Sequence, residues 1–174
     1  MANTFELIAS STVGSGGSSS LSFTSIPSTY TDLCLLISLR TAQAGASSDC
    51  RITLNGTNTG LNSRGLDSRN PPNSWNYTNN LYLVGGGNGN TSTASTFTNW
   101  QIYIPNYAST TTYKSVSGDY VRESNDNNSG QVYCGLVAGI YNSNTAITSV
   151  GVENDGNNNY LQYTNAYLYG VKNA

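Results

Sequence analysis

Nowhere along its 174 residues does this chain gather Ala, Leu, Glu, Lys and Arg over the roughly 12 consecutive positions that a helix requires. Instead, short stretches rich in β-branched and aromatic residues recur, each closed by Gly, Asn, Asp, Ser or Pro. A chain of this kind buries a core by packing sheets against each other, because each strand is apolar on one face only. The expected fold is therefore all-β: a jelly-roll-like, two-sheet antiparallel β-sandwich with little or no helix. Its length suits one domain over residues 1–174.

Strands are expected at 5–10, 21–26, 31–40, 51–54, 81–84, 100–104, 111–117, 131–141, 146–153 and 160–172. The run Leu33-Cys-Leu-Leu-Ile37 is apolar at consecutive positions, as a strand buried on both faces would be, and marks the centre of a sheet. Asn55-Gly56 after residues 51–54 supplies the two positive-φ residues of a type I′ turn, so a hairpin is expected there. The Gly- and Ser-rich stretch 14–20 and the stretch 85–90 read as loops with little backbone restraint. Residues 57–80 show no clean periodicity and contain Pro71-Pro72, which predicts a long irregular excursion. Near the C-terminus the alternation of Leu161, Tyr163, Tyr167, Tyr169 and Val171 predicts aromatics on one face of a closing core strand.

Charged residues make up only 9% of the chain, with Asn, Ser, Thr and Gly in their place. Seven basic residues are scattered and the net charge is −2, which leaves no electrostatic footprint for nucleic acid. Hydrophobic residues at 37%, with thirteen Tyr, place the chain among sequences that fold. The longest strongly apolar run is Leu33 to Ile37, far below the roughly 20 residues of a spanning helix, so no membrane span is expected. The N-terminus lacks the basic and apolar regions of a secretory leader, which points to synthesis in a cytoplasm. Cys34, Cys50 and Cys134 are then expected as buried, inert thiols.

The sequence holds no histidine, so no Ser-His-Asp or Cys-His nucleophile pair can form, and no His-containing zinc site. The glycines at 85–87 and 89 lack the Gly-Lys-Ser/Thr that would complete a phosphate loop. The carboxylate pool for glycoside hydrolysis is Glu6, Asp119, Glu123, Asp126, Glu153 and Asp155, mostly within turn-like sequence where Asn and Asp serve the backbone. Those acidic loops do not match the spacing of an EF-hand calcium loop. The expectation is a protein that is not an enzyme and uses no cofactor and no metal.

Aromatics in the excursion are the candidates for function. Trp75 and Tyr77, with Asn73, Asn76 and Asn79 around them, suit a glycan contact, where rings stack on sugar faces and amides bond hydroxyls. The same five residues suit a subunit interface or a loop folded back on the core. Trp100, which opens an alternating strand, is expected in the core. Sequons at Asn55, Asn76, Asn90 and Asn127 carry no weight without an export signal.

Three segments, Phe5-Glu-Leu-Ile-Ala-Ser-Ser-Thr-Val-Gly14, Phe23-Thr-Ser-Ile-Pro-Ser-Thr-Tyr-Thr-Asp-Leu33 and Ala166-Tyr-Leu-Tyr-Gly-Val171, resemble small structural proteins of tailed bacteriophages, notably marine and cyanobacterial ones. Asn55-Gly-Thr57, Asn106-Tyr-Ala-Ser-Thr-Thr-Thr-Tyr-Lys114 and Ala146-Ile-Thr-Ser-Val150 follow in the same order, so the likeness spans nearly the whole chain. It implies a virion surface protein assembled in the bacterial host cytoplasm, and it brings no catalytic residues. The leading expectation is a capsid decoration or cement protein, a homotrimer bound to the major capsid protein or other virion proteins, since no shaft or repeat precedes the domain as fibres usually need. The alternative is a tail- or head-fibre module that recognises a host-surface glycan through Trp75 and Tyr77.

Overall fold

A computed structural model of the chain describes residues 4–69, 71–124 and 133–172. Among them there is no helix, and twelve strands account for the regular structure: β1 (Phe5–Thr12), β2 (Ser20–Phe23), β3 (Asp32–Leu39), β4 (Ser47–Leu54), β5 (Leu61–Asp67), β6 (Asn73–Tyr77), β7 (Leu81–Asn88), β8 (Thr98–Pro105), β9 (Lys114–Arg122), β10 (Tyr133–Tyr141), β11 (Val150–Asn154) and β12 (Asn165–Val171). They form two antiparallel sheets, a β-sandwich as the sequence predicts. The large sheet has eight strands in the order β1-β12-β3-β8-β9-β10-β5-β6; the small sheet has four in the order β2-β11-β4-β7.

The pairing is nested. β1 lies beside β12, β2 beside β11, β3 beside β8 and β4 beside β7, with successive strands alternating between sheets at each end of the chain. Two further hairpins, β5-β6 and β9-β10, are joined through β10 and β5 and extend the large sheet beyond β8. The large sheet is thus twice as wide as the small one.

The core lies between the sheets. Leu33, Leu35, Ile37 and Leu39 of β3 meet Ile52 and Leu54 of β4 and Val150 and Val152 of β11 within one buried cluster. Each of these side chains contributes on the order of 2 kcal/mol by leaving water. β3 sits between β12 and β8, where the apolar run at 33–37 predicts a central strand. Trp100 is buried, as expected, and its ring stacks on Tyr120 at 4.1 Å. Its indole N–H donates to the Gly86 carbonyl, and the Tyr120 hydroxyl donates to the Val84 carbonyl at 2.9 Å. These two bonds tie the large sheet to β7 of the small one.

Several sequence expectations are corrected. Residues 85–88 are not a loop but the end of β7, and Gly86 is required there because a Cβ would fall 1.8 Å from the Trp100 ring. The irregular excursion at 57–80 contains β5 and β6. Asn55 and Gly56 do adopt positive φ (53° and 71°), and Leu54 and Thr57 exchange hydrogen bonds of 3.0 and 3.1 Å. The hairpin stops at that one bridge, because the chain then crosses to the large sheet while β4 pairs with β11 and β7. The Asn55 side chain instead anchors the loop at 146–149 through Ala146 and Thr148. Strand boundaries shift too: β9 begins at Lys114, β11 at Val150 and β12 at Asn165. Residues 131 and 132 of the strand expected at 131–141 lie outside the described residues.

Candidate functional site

The two outer faces of the sandwich are built differently. Along β12, Ala166 and Leu168 point into the core, so Tyr167 and Tyr169 line the outside of the large sheet, and Val171 at the strand end is buried. This corrects the expected alternation: Tyr167 and Tyr169 face outward rather than into the core, and Leu161 and Tyr163 precede the strand, Tyr163 at φ 72° in the turn.

Strand register extends this outer face across the whole sheet. One row runs Leu7, Tyr169, Cys34, Tyr103, Ser117, Ala138, Arg64, Asn76. The next runs Ser10, Tyr167, Leu36, Gln101, Asp119, Leu136, Leu66, Ser74. Phe5, Leu7, Leu66, Val121 and Leu136 on this face are each more than half exposed. Four shallow depressions open on it, one framed by Leu36, Gln101, Asp119, Val121 and Tyr167, another by Arg64, Leu66, Leu136 and Ala138. Exposed apolar side chains gathered on one face in this way mark a site of contact with another surface. Its polar members are mostly uncharged, Asn, Ser and Gln.

The outside of the small sheet carries a charge network. Arg51 donates to Glu153 at 2.9 Å and to Asp155 at 3.3 Å, and the Tyr82 hydroxyl donates to Asp155 at 2.6 Å. Burial, and then the bond to Asp155, push the Tyr82 phenol up to about 12.

The remaining cations are largely spent on structure. Arg40 donates to the carbonyls of Ser92 (2.7 Å) and Thr93 (2.8 Å), Lys114 to those of Thr145 (2.7 Å) and Ser143 (3.2 Å), and Arg122 to Asn88 Oδ1 and the Ala46 carbonyl. Burial lowers the pKa of Arg40 and Lys114. Arg69 pairs with Asp67, and Lys172 with Glu6 at 2.9 Å, which holds the Glu6 carboxyl below its ordinary value. Asp32, buried at the start of β3, accepts from the Tyr103 hydroxyl and the Asn106 amide, and that first bond pushes Tyr103 up to about 12.

The five residues singled out from the sequence do not form one site. Trp75 turns inward on β6, packs against the core, and lies over Gly65, where a Cβ would sit 2.3 Å from its ring. Tyr77 packs edge-on against Tyr82 at 4.5 Å. Asn73 is exposed on the same strand. Asn76 lies on the outer face beside Arg64. Asn79 makes the β6-β7 turn at φ 57°, its backbone N–H donating to Asn62 Oδ1 and its side-chain Oδ1 accepting from the Gly60 N–H. Asn76 and Tyr77 share a depression, with Asn62, Arg64 and Ile140.

Of the carboxylates, Glu153 and Asp155 share Arg51, Asp119 lies on the outer face, and Asp126 falls outside the described residues. Among the described residues no three His, Cys, Asp or Glu converge. Cys34 and Cys50 are buried, burial pushing the Cys50 thiol up to about 12, but Cys134 is exposed on the outer face opposite Val121, against expectation. The outer face itself went unnoticed in the sequence, although alternation in β10 (Leu136, Ala138, Ile140) carries its signal. No family model, curated protein or solved structure matches the chain.

Proposed function

We propose that this chain is a non-enzymatic structural protein of a tailed-phage virion, a decoration protein that sits on the outside of the head and contacts the major capsid protein or other virion proteins. The observation that carries this reading is the outer face of the large sheet: broad, rich in exposed apolar side chains, poor in charge, and left uncovered by the described residues. The nested strand order supports reading the sandwich as a jelly roll with two added hairpins, an architecture common among capsid and lectin domains. The sequence resemblance supplies the phage context.

Immunogold labelling of purified virions with antibody against this protein tests the reading. Gold spread over the heads is expected; virions without gold would overturn it.

A second reading rests on the depression that holds Asn62, Arg64, Asn76 and Tyr77. Amides, a guanidinium and a phenol edge suit a sugar, so the chain would be a fibre module that recognises a host-surface glycan. Gold confined to the tail tip, together with loss of host adsorption in an Asn76→Ala virion, would favour it over decoration.

A further inference from the structure

The half of the outer face built by β8, β9, β10, β5 and β6 has its own charge pattern. Among the described residues, Arg64 and Asp119 are the charged side chains that make no hydrogen bond or ion pair within their own chain. Both are exposed, and both point out of this half-face. Arg64 lies in the row of Ala138 and Asp119 in the row of Leu136, on strands that flank β10 from opposite sides. Around them the surface is apolar, with Leu66, Val121, Leu136 and Ile140 exposed.

One cation and one anion placed symmetrically about β10 are complementary to a copy of themselves. In an isologous contact, residue i of one protomer meets residue j of its partner, and j meets i. A two-fold axis in the plane of the contact, crossing β10 between Leu136 and Ala138, would set each Arg64 against the partner's Asp119 and bring the two Leu136 side chains together. Five strands spaced about 4.8 Å apart, with a rise of about 3.3 Å over eight residues, offer roughly 600 Å² per copy. Two copies would bury on the order of 1,200 Å², the low end of specific interfaces.

We propose that this half-face is a self-association surface, and that its occupant is a second copy of the chain, packed face to face about a two-fold axis. The inference rests on the outer face being a docking surface, and it replaces the expected trimer with a dimer. The β1-β12-β3 half, with Phe5, Leu7 and Tyr169, stays open for another partner. The pairing is weak in dilute solution and populated where many copies crowd together.

The test is sedimentation equilibrium of the purified full chain over a range of concentrations, with Arg64→Asp, Asp119→Arg and the double swap. The wild type is expected to approach twice its 18.5 kDa mass as concentration rises. Each single reversal sets like charges together and is expected to weaken the dimer about 100-fold, and the double swap restores it. A wild-type mass of 18.5 kDa at every concentration, a limit of three times that mass, or single variants that dimerise like the wild type would overturn the proposal. Circular dichroism of each variant checks that the exposed substitutions leave the fold intact. A monomer whose antibody still labels phage heads would sink the dimer and leave the structural reading standing; a dimer whose antibody labels no virion would do the reverse.

Discussion

The outer faces of the two sheets meet the same solvent with opposite solutions. On the small sheet, Arg51, Glu153, Asp155 and Tyr82 pair with one another, and Ser20 and Ser22 complete a polar surface over a buried Leu21 and Phe23. On the large sheet, the outward positions of β10 are Leu136, Ala138 and Ile140, and those of β1 begin with Phe5 and Leu7. An antiparallel sheet with one solvated face ordinarily reads apolar inside and polar outside. The small sheet obeys that rule and the large sheet breaks it. The difference lies between a face whose polar groups pair with one another and a face that leaves apolar side chains in solvent.

The largest effect comes from removing what both faces depend on. Trp100→Ala empties the space under Gly86 and deletes one of the two bonds that tie the large sheet to β7, so urea unfolding should show a loss of about 3–5 kcal/mol. Leu136→Asp separates the faces: it should abolish association while changing stability by no more than about 0.5 kcal/mol, measured by sedimentation and urea titration. A large stability loss in that variant would mean that Leu136 belongs to the core after all.

A third effect is set by pH. Tyr82, on the small-sheet face, and Tyr103, on the large, are each pushed from 10.0 up to about 12. The native state therefore keeps these protons after the unfolded chain has lost them. Their contribution is complete below pH 10 and is lost as pH rises toward 12, so urea midpoints should fall across that window. Tyr82→Phe and Tyr103→Phe should each flatten the decline. The smallest effect is Arg51→Ala, which breaks a half-exposed network: a loss of about 1 kcal/mol or less by urea titration, with no change in association.

Much of the fold was legible because its strands are long, β-rich and clearly bounded: the run at 33–37, the alternation from Trp100 to Ile104 and the turn at Asn55-Gly56 all read correctly. What escaped was structure that depends on distant partners. Strand β5 places Ser63, Gly65 and Asp67 on its inner side, and nothing local marks Gly65 as the seat of Trp75. The glycines of β7 look like a loop until Trp100 is known to lie against Gly86. The candidate site was illegible for the same reason. Trp75 and Tyr77 stand out as aromatics in a polar stretch, yet the outer face is assembled by register from a few residues on each of eight strands, with the alternation in β10 as its one local sign. No short motif encodes it.

Hydroxyl-radical footprinting of the purified protein, dilute and concentrated, tests the contrast between the faces most directly. The account predicts that Leu66, Val121 and Leu136 become protected as concentration rises while Tyr82 and Val84 on the small sheet are labelled equally throughout. Equal labelling of both faces at every concentration, or protection confined to the small sheet, would contradict it.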